Sequence, residues 1–208
     1  MGASNYKSDR MAELLSKPTL VTTSETIHKR VADSKQRVCE VAARQFNAAG
    51  YDAVSIESIA TEAGIARSTF YRFFQCKEDV VRHMVVPVFR DALHYLEALD
   101  LDKPEDIVNG IADCYLSIWE GQREALIFSM NFGVQFFSAV QDEHNAFADI
   151  VLKLMTTLGE ARMLRHDDPS LAAVMLAQTA VRILQVCERH TQFENVYRST
   201  LRGMLLKW

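Results

Sequence analysis

Residues 55–77 read SIESIATEAGIARSTFYRFFQCK. Ser55 stands where a side-chain oxygen caps the free N–H groups that open a helix, and Glu57 in the first turn suits the helix dipole. Ile56, Ile59, Ala60 and Ala63 recur at three- and four-residue steps and predict one inner face. Gly64 ends that helix, and Ile65-Ala66 make a tight link. Arg67 to Phe74 predicts a further short helix. Phe70, Phe73 and Phe74 point inward on it, while Arg67, Ser68, Tyr71 and Arg72 share an outward side. Two short helices joined by a glycine-containing turn form a helix-turn-helix pattern.

Upstream, Val38, Val41, Ala42, Phe46 and Ala49 form an apolar stripe in a helix predicted from Asp33. Gly50 follows where a helix stops in a left-handed residue. Residues 1–32 are polar, interrupted by Pro18, and read as a mobile arm; Lys29 and Arg30 near its end, with Lys35 just beyond, read as solvated charges or as a basic stretch able to enter a minor groove. Downstream, a helix from Lys77 towards Leu99 contains Pro87, which should kink or divide it. Further helices are predicted over 105–121, 123–140, 142–164, 170–190 and 193–207. Pro104 and Pro169 sit at first-turn positions, where the missing N–H is not needed. No strand and no repeat emerges. The fold class is all-α, with a three-helix helix-turn-helix unit over 33–85 and a helical bundle over 86–208.

Composition narrows the function. Apolar residues are 49% and charged residues 24% of 208, the mix of a soluble globular chain, so a collagen-like or disordered chain is excluded. The net charge is -4, yet residues 28–90 carry ten Lys/Arg against seven Asp/Glu. A basic segment in an acidic protein points to a local polyanion site. Cys39, Cys76, Cys114 and Cys187 show no zinc spacing and read as free thiols of a cytoplasmic protein. No metal, cofactor, membrane span or export signal is expected. No phosphate loop or dinucleotide fingerprint is present, and His166-Asp167-Asp168 reads as an exposed turn. The chain is not expected to be an enzyme.

An Arg/Ser/Tyr/Arg face on a short helix fits the major groove, where Arg pairs with guanine and hydroxyls reach phosphates. A solvated surface helix carries the same pattern. Lys77 at a helix start makes sense if a phosphate docks there, since a cation otherwise opposes the dipole. A lysine merely exposed beside Glu78 reads alike.

The ordered set Phe46-x-x-x-Gly50-Tyr51, Ser55-Ile56, Ile59-Ala60, Ala63-Gly64-Ile65, Thr69-Phe70-Tyr71-x-x-Phe74 and Lys77-Glu78 decides between these. Residues 35–85 resemble the DNA-binding domain of the tetracycline-repressor (TetR/AcrR) family. The resemblance implies that Ser55 touches a phosphate, that Arg67, Ser68 and Thr69 approach bases, and that Tyr71 and Lys77 hold phosphates. Ala66 departs from the family's usual Ser cap, Phe73 from a His or Tyr, and Cys76 from a small polar cap. Arg72 is assigned to the DNA set as a compensating contact.

The resemblance further implies a C-terminal bundle that dimerises and binds a small effector. Leu171, Val174, Met175, Gln178, Val181 and Arg182 on one helix, with Val196, Thr200, Met204 and Trp208 on the next, match the dimer role. Ala172, Ala173, Ala177 and Ala180 would let helices approach closely. For the effector, Tyr115, Trp119, Phe128, Phe132 and Phe136 give aromatic stripes, and Asn131, Gln135, His144 and Gln178 supply polar groups. Such residues line cores as readily as cavities. The expected function is a homodimeric repressor released from a palindromic double-stranded operator by a small apolar or aromatic effector. The competing readings are a helical small-molecule-binding protein without DNA function, and an activator.

Overall fold

The computed structural model describes residues 20–131 and 134–207, and leaves out the side chains of 20–24, 134, 135 and 137. Eight α-helices are described: α1 (Leu20–Ala49), α2 (Ile56–Glu62), α3 (Arg67–Phe73), α4 (Lys77–Glu97), α5 (Pro104–Asn131), α6 (Gln141–Glu160), α7 (Pro169–Cys187) and α8 (Phe193–Leu205). A 3-10 segment, Val134–Ala139, joins α5 to α6. No strand occurs among the described residues; Leu164 and Leu206 make one isolated antiparallel bridge.

α1 starts at Leu20, well before the predicted Asp33. The reason is local: no glycine or proline interrupts residues 19–49, so nothing after Pro18 stops the helix before Gly50. The expectation of an arm over 1–32 is corrected for 20–32, which are helical, and lies outside the described residues for 1–19. Up to Arg37 the described chain is mostly exposed, with Ile27 among its exposed residues.

From Val38 onward the chain builds two cores. The first joins Val38, Val41, Ala42 and Phe46 of α1 to Ile59, Phe70, Phe74 and the Val80–Val85 stretch of α4. The second fills the bundle of α4 to α8 around Ile111, Leu154, Met155, Leu176, Leu184 and Leu201. Gly50 and Gly64 both have positive φ, +83° and +68°, the conformation that costs glycine least and that ends α1 and α2.

α4 runs from Lys77 to Glu97 as one helix through Pro87, so the expected division there is corrected. Pro87 removes only the N–H that would reach the His83 carbonyl, and the buried face of Val81, Met84, Val85 and Val88 holds both halves. The break expected near 122 is present: Gln122 has φ −140°, ψ 34° inside α5. The expected helix over 123–140 is corrected, because α-helix ends at Asn131 and 3-10 geometry follows at Val134. Gly133 between them weakens a continuous helix. Asp168 caps α7 by accepting the Leu171 N–H at 3.0 Å, and Pro169 takes the first-turn position.

Tyr197 on α8 is fully buried, and its hydroxyl has no hydrogen-bond partner. A stranded hydroxyl costs more than it returns. Tyr197→Phe is therefore expected to stabilise the protein by about 1 kcal/mol. Thermal unfolding checks this: the midpoint should rise by roughly 2–4 °C for a chain of this size. A fall would mean the hydroxyl has a partner.

Candidate nucleic-acid interface

The helix-turn-helix is stitched from side chains. Ser55 accepts the Ser58 N–H at 3.0 Å, so the predicted cap is in place. The Ser58 hydroxyl donates to Gln45 on α1 at 2.8 Å, and Gln45 in turn donates to Glu62. Arg44 pairs with the same Glu62. Two hydrogen bonds from Gln45 and Arg44 hold the Glu62 carboxyl below the usual carboxylate range. This α1–α2 brace escaped the sequence reading, because residues thirteen to eighteen apart carry no periodic signal.

α3 presents the expected face. Phe70 and Phe74 are buried and Phe73 is half-buried, while Arg67, Ser68, Tyr71 and Arg72 are exposed and Thr69 is partly so. Ala66 makes no side-chain cap bond, consistent with the missing Ser at that position. The Arg67 guanidinium pairs with Glu57 on α2 and lies 5.7 Å from the centre of the Tyr71 ring. Arg72 lies over the Phe73 ring at 5.8 Å. Both arginines are thus oriented on the surface, by contacts weak enough to yield to a better partner.

Lys77 differs from both sequence alternatives. Its ammonium donates to the Tyr51 carbonyl at 2.9 Å and the Val54 carbonyl at 2.7 Å, and sits 4.2 Å from the centre of the Tyr51 ring. The cation at the start of α4 is therefore satisfied by the α1–α2 loop, which it pins. Two of the three ammonium N–H groups are thereby engaged. Cys76 at the same helix start is exposed, whereas Cys39, Cys114 and Cys187 are buried. Burial pushes the Cys114 thiol up to about 12. A thiol-reactive dye at neutral pH should label Cys76 rapidly and the other three only on unfolding; fast labelling of two or more would contradict the burial.

Three aromatic residues from outside the helix-turn-helix belong to its core. Phe128 lies 5.5 Å from Phe46, and Phe136 lies 4.4 Å from Tyr51 in an edge-on arrangement. Phe147 packs against the same cluster. Asn47 donates to the Glu124 carbonyl at 2.9 Å and to its carboxylate at 3.0 Å.

The residues expected to meet an effector are spread over several surroundings. Phe128 and Phe136 pack into the helix-turn-helix core. Trp119 is buried in the bundle under Arg123. Asn131 is exposed and accepts from Arg182 at 3.1 Å. Gln178 is exposed on α7. His144 is half-buried with its ring 5.7 Å from that of Phe89. Phe132 and the Gln135 side chain lie outside what the structure describes. Among the described residues of the set, Tyr115 borders a small cavity in the bundle, beside Phe89, Cys114, Ser129, Met130 and Phe147. That cavity measures about 30 Å³. It has room for about one water, far less than a small-molecule site. On the expected dimer helices, Leu171, Val174, Gln178 and Arg182 are exposed and Met175 is partly so. Val181 is corrected to the chain's own core, as are Ala172 and Ala180. Trp208 is outside the described residues.

Residues 38–84 match the family model of bacterial regulatory proteins, tetR family. That segment, and not the whole chain, is similar to the tetR family of regulatory proteins. The matched span covers the brace, α3 and the start of α4. A helix-turn-helix-type transcriptional regulator of Staphylococcus aureus (strain MRSA252), SAR2658, is 27% identical over 115 residues, 55% of this chain and 56% of that relative. The chain thus matches little more than half the length of that regulator. Among solved structures, AibR in complex with isovaleryl coenzyme A and operator DNA superposes with TM-score 0.67 at 14% identity, over 83% of this chain and 98% of that one. FadR from Bacillus subtilis in complex with stearoyl-CoA gives 0.61 at 15%, over 82% and 97%. At such identity these two establish the fold and nothing finer. Among the described residues no group of three or more His, Cys, Asp or Glu is placed to hold a metal.

Proposed function

We propose that this transcription regulator binds a palindromic DNA operator as a cytoplasmic homodimer and represses transcription until a small effector releases it. The observation that carries the reading is α3. Its outward face offers Arg67, Ser68, Thr69, Tyr71 and Arg72 to a major groove, while Ser55 and Lys77 flank it at two helix starts. Arg67, Ser68 and Thr69 read bases; Ser55, Tyr71, Arg72 and the remaining Lys77 N–H hold phosphates.

One such helix reads too few base pairs to be specific, whereas two spaced by about 34–36 Å read a palindrome. The exposed α7 face of Leu171, Val174 and Val186 supports pairing of two copies. α7 is also long and apolar enough to cross a membrane by length and composition, with 33% of its apolar window buried. A partner helix covering that face accounts for the same composition. The effector reading rests on the bundle cavity beside Tyr115, which must enlarge. The break at Gln122 lets residues 123–131, which carry Ser129 and Met130, move apart from the rest of α5. The acyl-thioester ligands of AibR and FadR agree with an apolar effector. Because Phe128 and Glu124 on that segment touch Phe46 and Asn47, its displacement would alter the spacing of the reading helices and so operator affinity.

Selection of bound duplexes from a randomised library by the purified protein tests this. An enriched palindrome is expected; no enrichment at low salt would overturn the DNA-binding reading. Within the selected site, Arg67→Ala should weaken binding about tenfold or more and relax preference at one base pair. Equal weakening on every sequence, measured by fluorescence anisotropy, would assign Arg67 to the phosphates instead.

A further inference from the structure

α4 presents two different faces. Val88 and Phe89 border the bundle cavity, while Arg82, Val86, Pro87 and Arg90 border an open groove of about 520 Å³. The opposite wall is the 3-10 segment at Ser138 and Ala139 and the first turn of α6 at Asp142 and Glu143. The volume lies in the range of small-molecule sites, unlike that of the cavity.

The groove carries charges of both signs. Arg44, Arg67, Arg123 and Arg198 all pair with carboxylates. Arg82 and Arg90 pair with no carboxylate among the described residues, although Asp142 and Glu143 line the same groove. His83, also on the rim, has its Nδ1 turned to Asp79 at 2.8 Å from the carbonyl. Cations stand on one wall and carboxylates on the other, held apart by the packing of α4 against α6. The arginine roots are about 12 Å apart along α4, at 1.5 Å per residue, with the flat, apolar Val86-Pro87 surface between them.

We propose that this groove is a ligand site for a phosphorylated small molecule carrying hydrogen-bond donors at its other end, the chemistry of a nucleotide. Guanidinium groups bind phosphate oxygens by paired, charge-assisted hydrogen bonds. A planar base rests on Pro87 and Val86. Its amino group or the sugar hydroxyls donate to Asp142, Glu143 and the Ser138 hydroxyl. A bare anion would answer the arginines and be repelled by the carboxylates, and an uncharged nucleoside would leave the arginines unanswered. The site is independent of the DNA-binding reading, and its assay contains no DNA.

The experiment is isothermal titration of the full chain with ADP, inorganic diphosphate and adenosine at low salt. Saturable binding of ADP is expected, at least about tenfold tighter than either part alone. Arg82→Gln and Arg90→Gln should each weaken it about tenfold or more, while Arg162→Gln, an exposed arginine outside the groove, leaves it unchanged. Circular dichroism confirms that the variants fold, which their exposure makes the expected result. No saturable ADP binding, binding insensitive to both groove arginines, or diphosphate binding as tight as ADP would each overturn the proposal.

Discussion

Phe70→Ala is expected to cost about 3–5 kcal/mol of stability and to abolish operator binding in the same step. Phe70 is fully buried, 5.5 Å from the Phe74 ring and edge-on to Tyr71 at 5.7 Å. α3 has seven residues, and α2 has seven. Isolated helices of that length do not persist in water, so tertiary packing alone fixes the orientation of Arg67 and Tyr71. A domain typically holds about 5–15 kcal/mol in total, so a loss of this size removes much of it. Urea unfolding and anisotropy on the selected duplex check both parts. Phe70→Leu should retain most of the stability. If Phe70→Ala shifted stability by less than about 1 kcal/mol, the core would not be what orients α3.

Lys77→Ala should lower stability by about 3 kcal/mol, since two hydrogen bonds to a charged donor are lost and two partly buried loop carbonyls lose their partner. Binding to every duplex should weaken alike, because the α1–α2 loop and the start of α4 would no longer be tied. The remaining ammonium N–H makes a separate prediction: the slope of log affinity against log salt should fall by about 0.9 when that charge is removed. Lys77→Met keeps the stem over Tyr51 and removes only the charge and its donors. It should therefore recover part of the stability and none of the slope. An unchanged unfolding midpoint would contradict the tie to Tyr51 and Val54, and an unchanged slope would contradict the phosphate contact.

Much of the helix-turn-helix was legible in the sequence because its determinants are local. Gly50 and Gly64 announce their left-handed backbone, Ser55 announces its cap, and Phe70 and Phe74 announce a buried face by spacing. The tie made by Lys77 was not legible, because its carbonyl partners carry no residue identity and lie 23 and 26 positions upstream. The surroundings of the expected effector residues were hidden for a related reason. Phe128, Phe132 and Phe136 at four-residue steps look like one helical stripe, but the α-helix ends at Asn131, and Phe128 and Phe136 reach the other core. Val181 on α7 was assigned to the dimer face because period alone does not tell which apolar side of a helix the chain itself covers. Pro87 looked like a break, and burial on both sides of it kept α4 whole.

The contribution of Phe128, Phe136 and Val140 to the DNA-binding core bears on how far that core can be transplanted. A fragment cut at residue 85 would strip Phe46 and Tyr51 of their aromatic neighbours and Asn47 of its acceptors on Glu124. The reading head is therefore not a portable module. A chimera that grafts it onto another bundle must also import the aromatic pair and the acidic anchor, or accept a head that melts before its new body does.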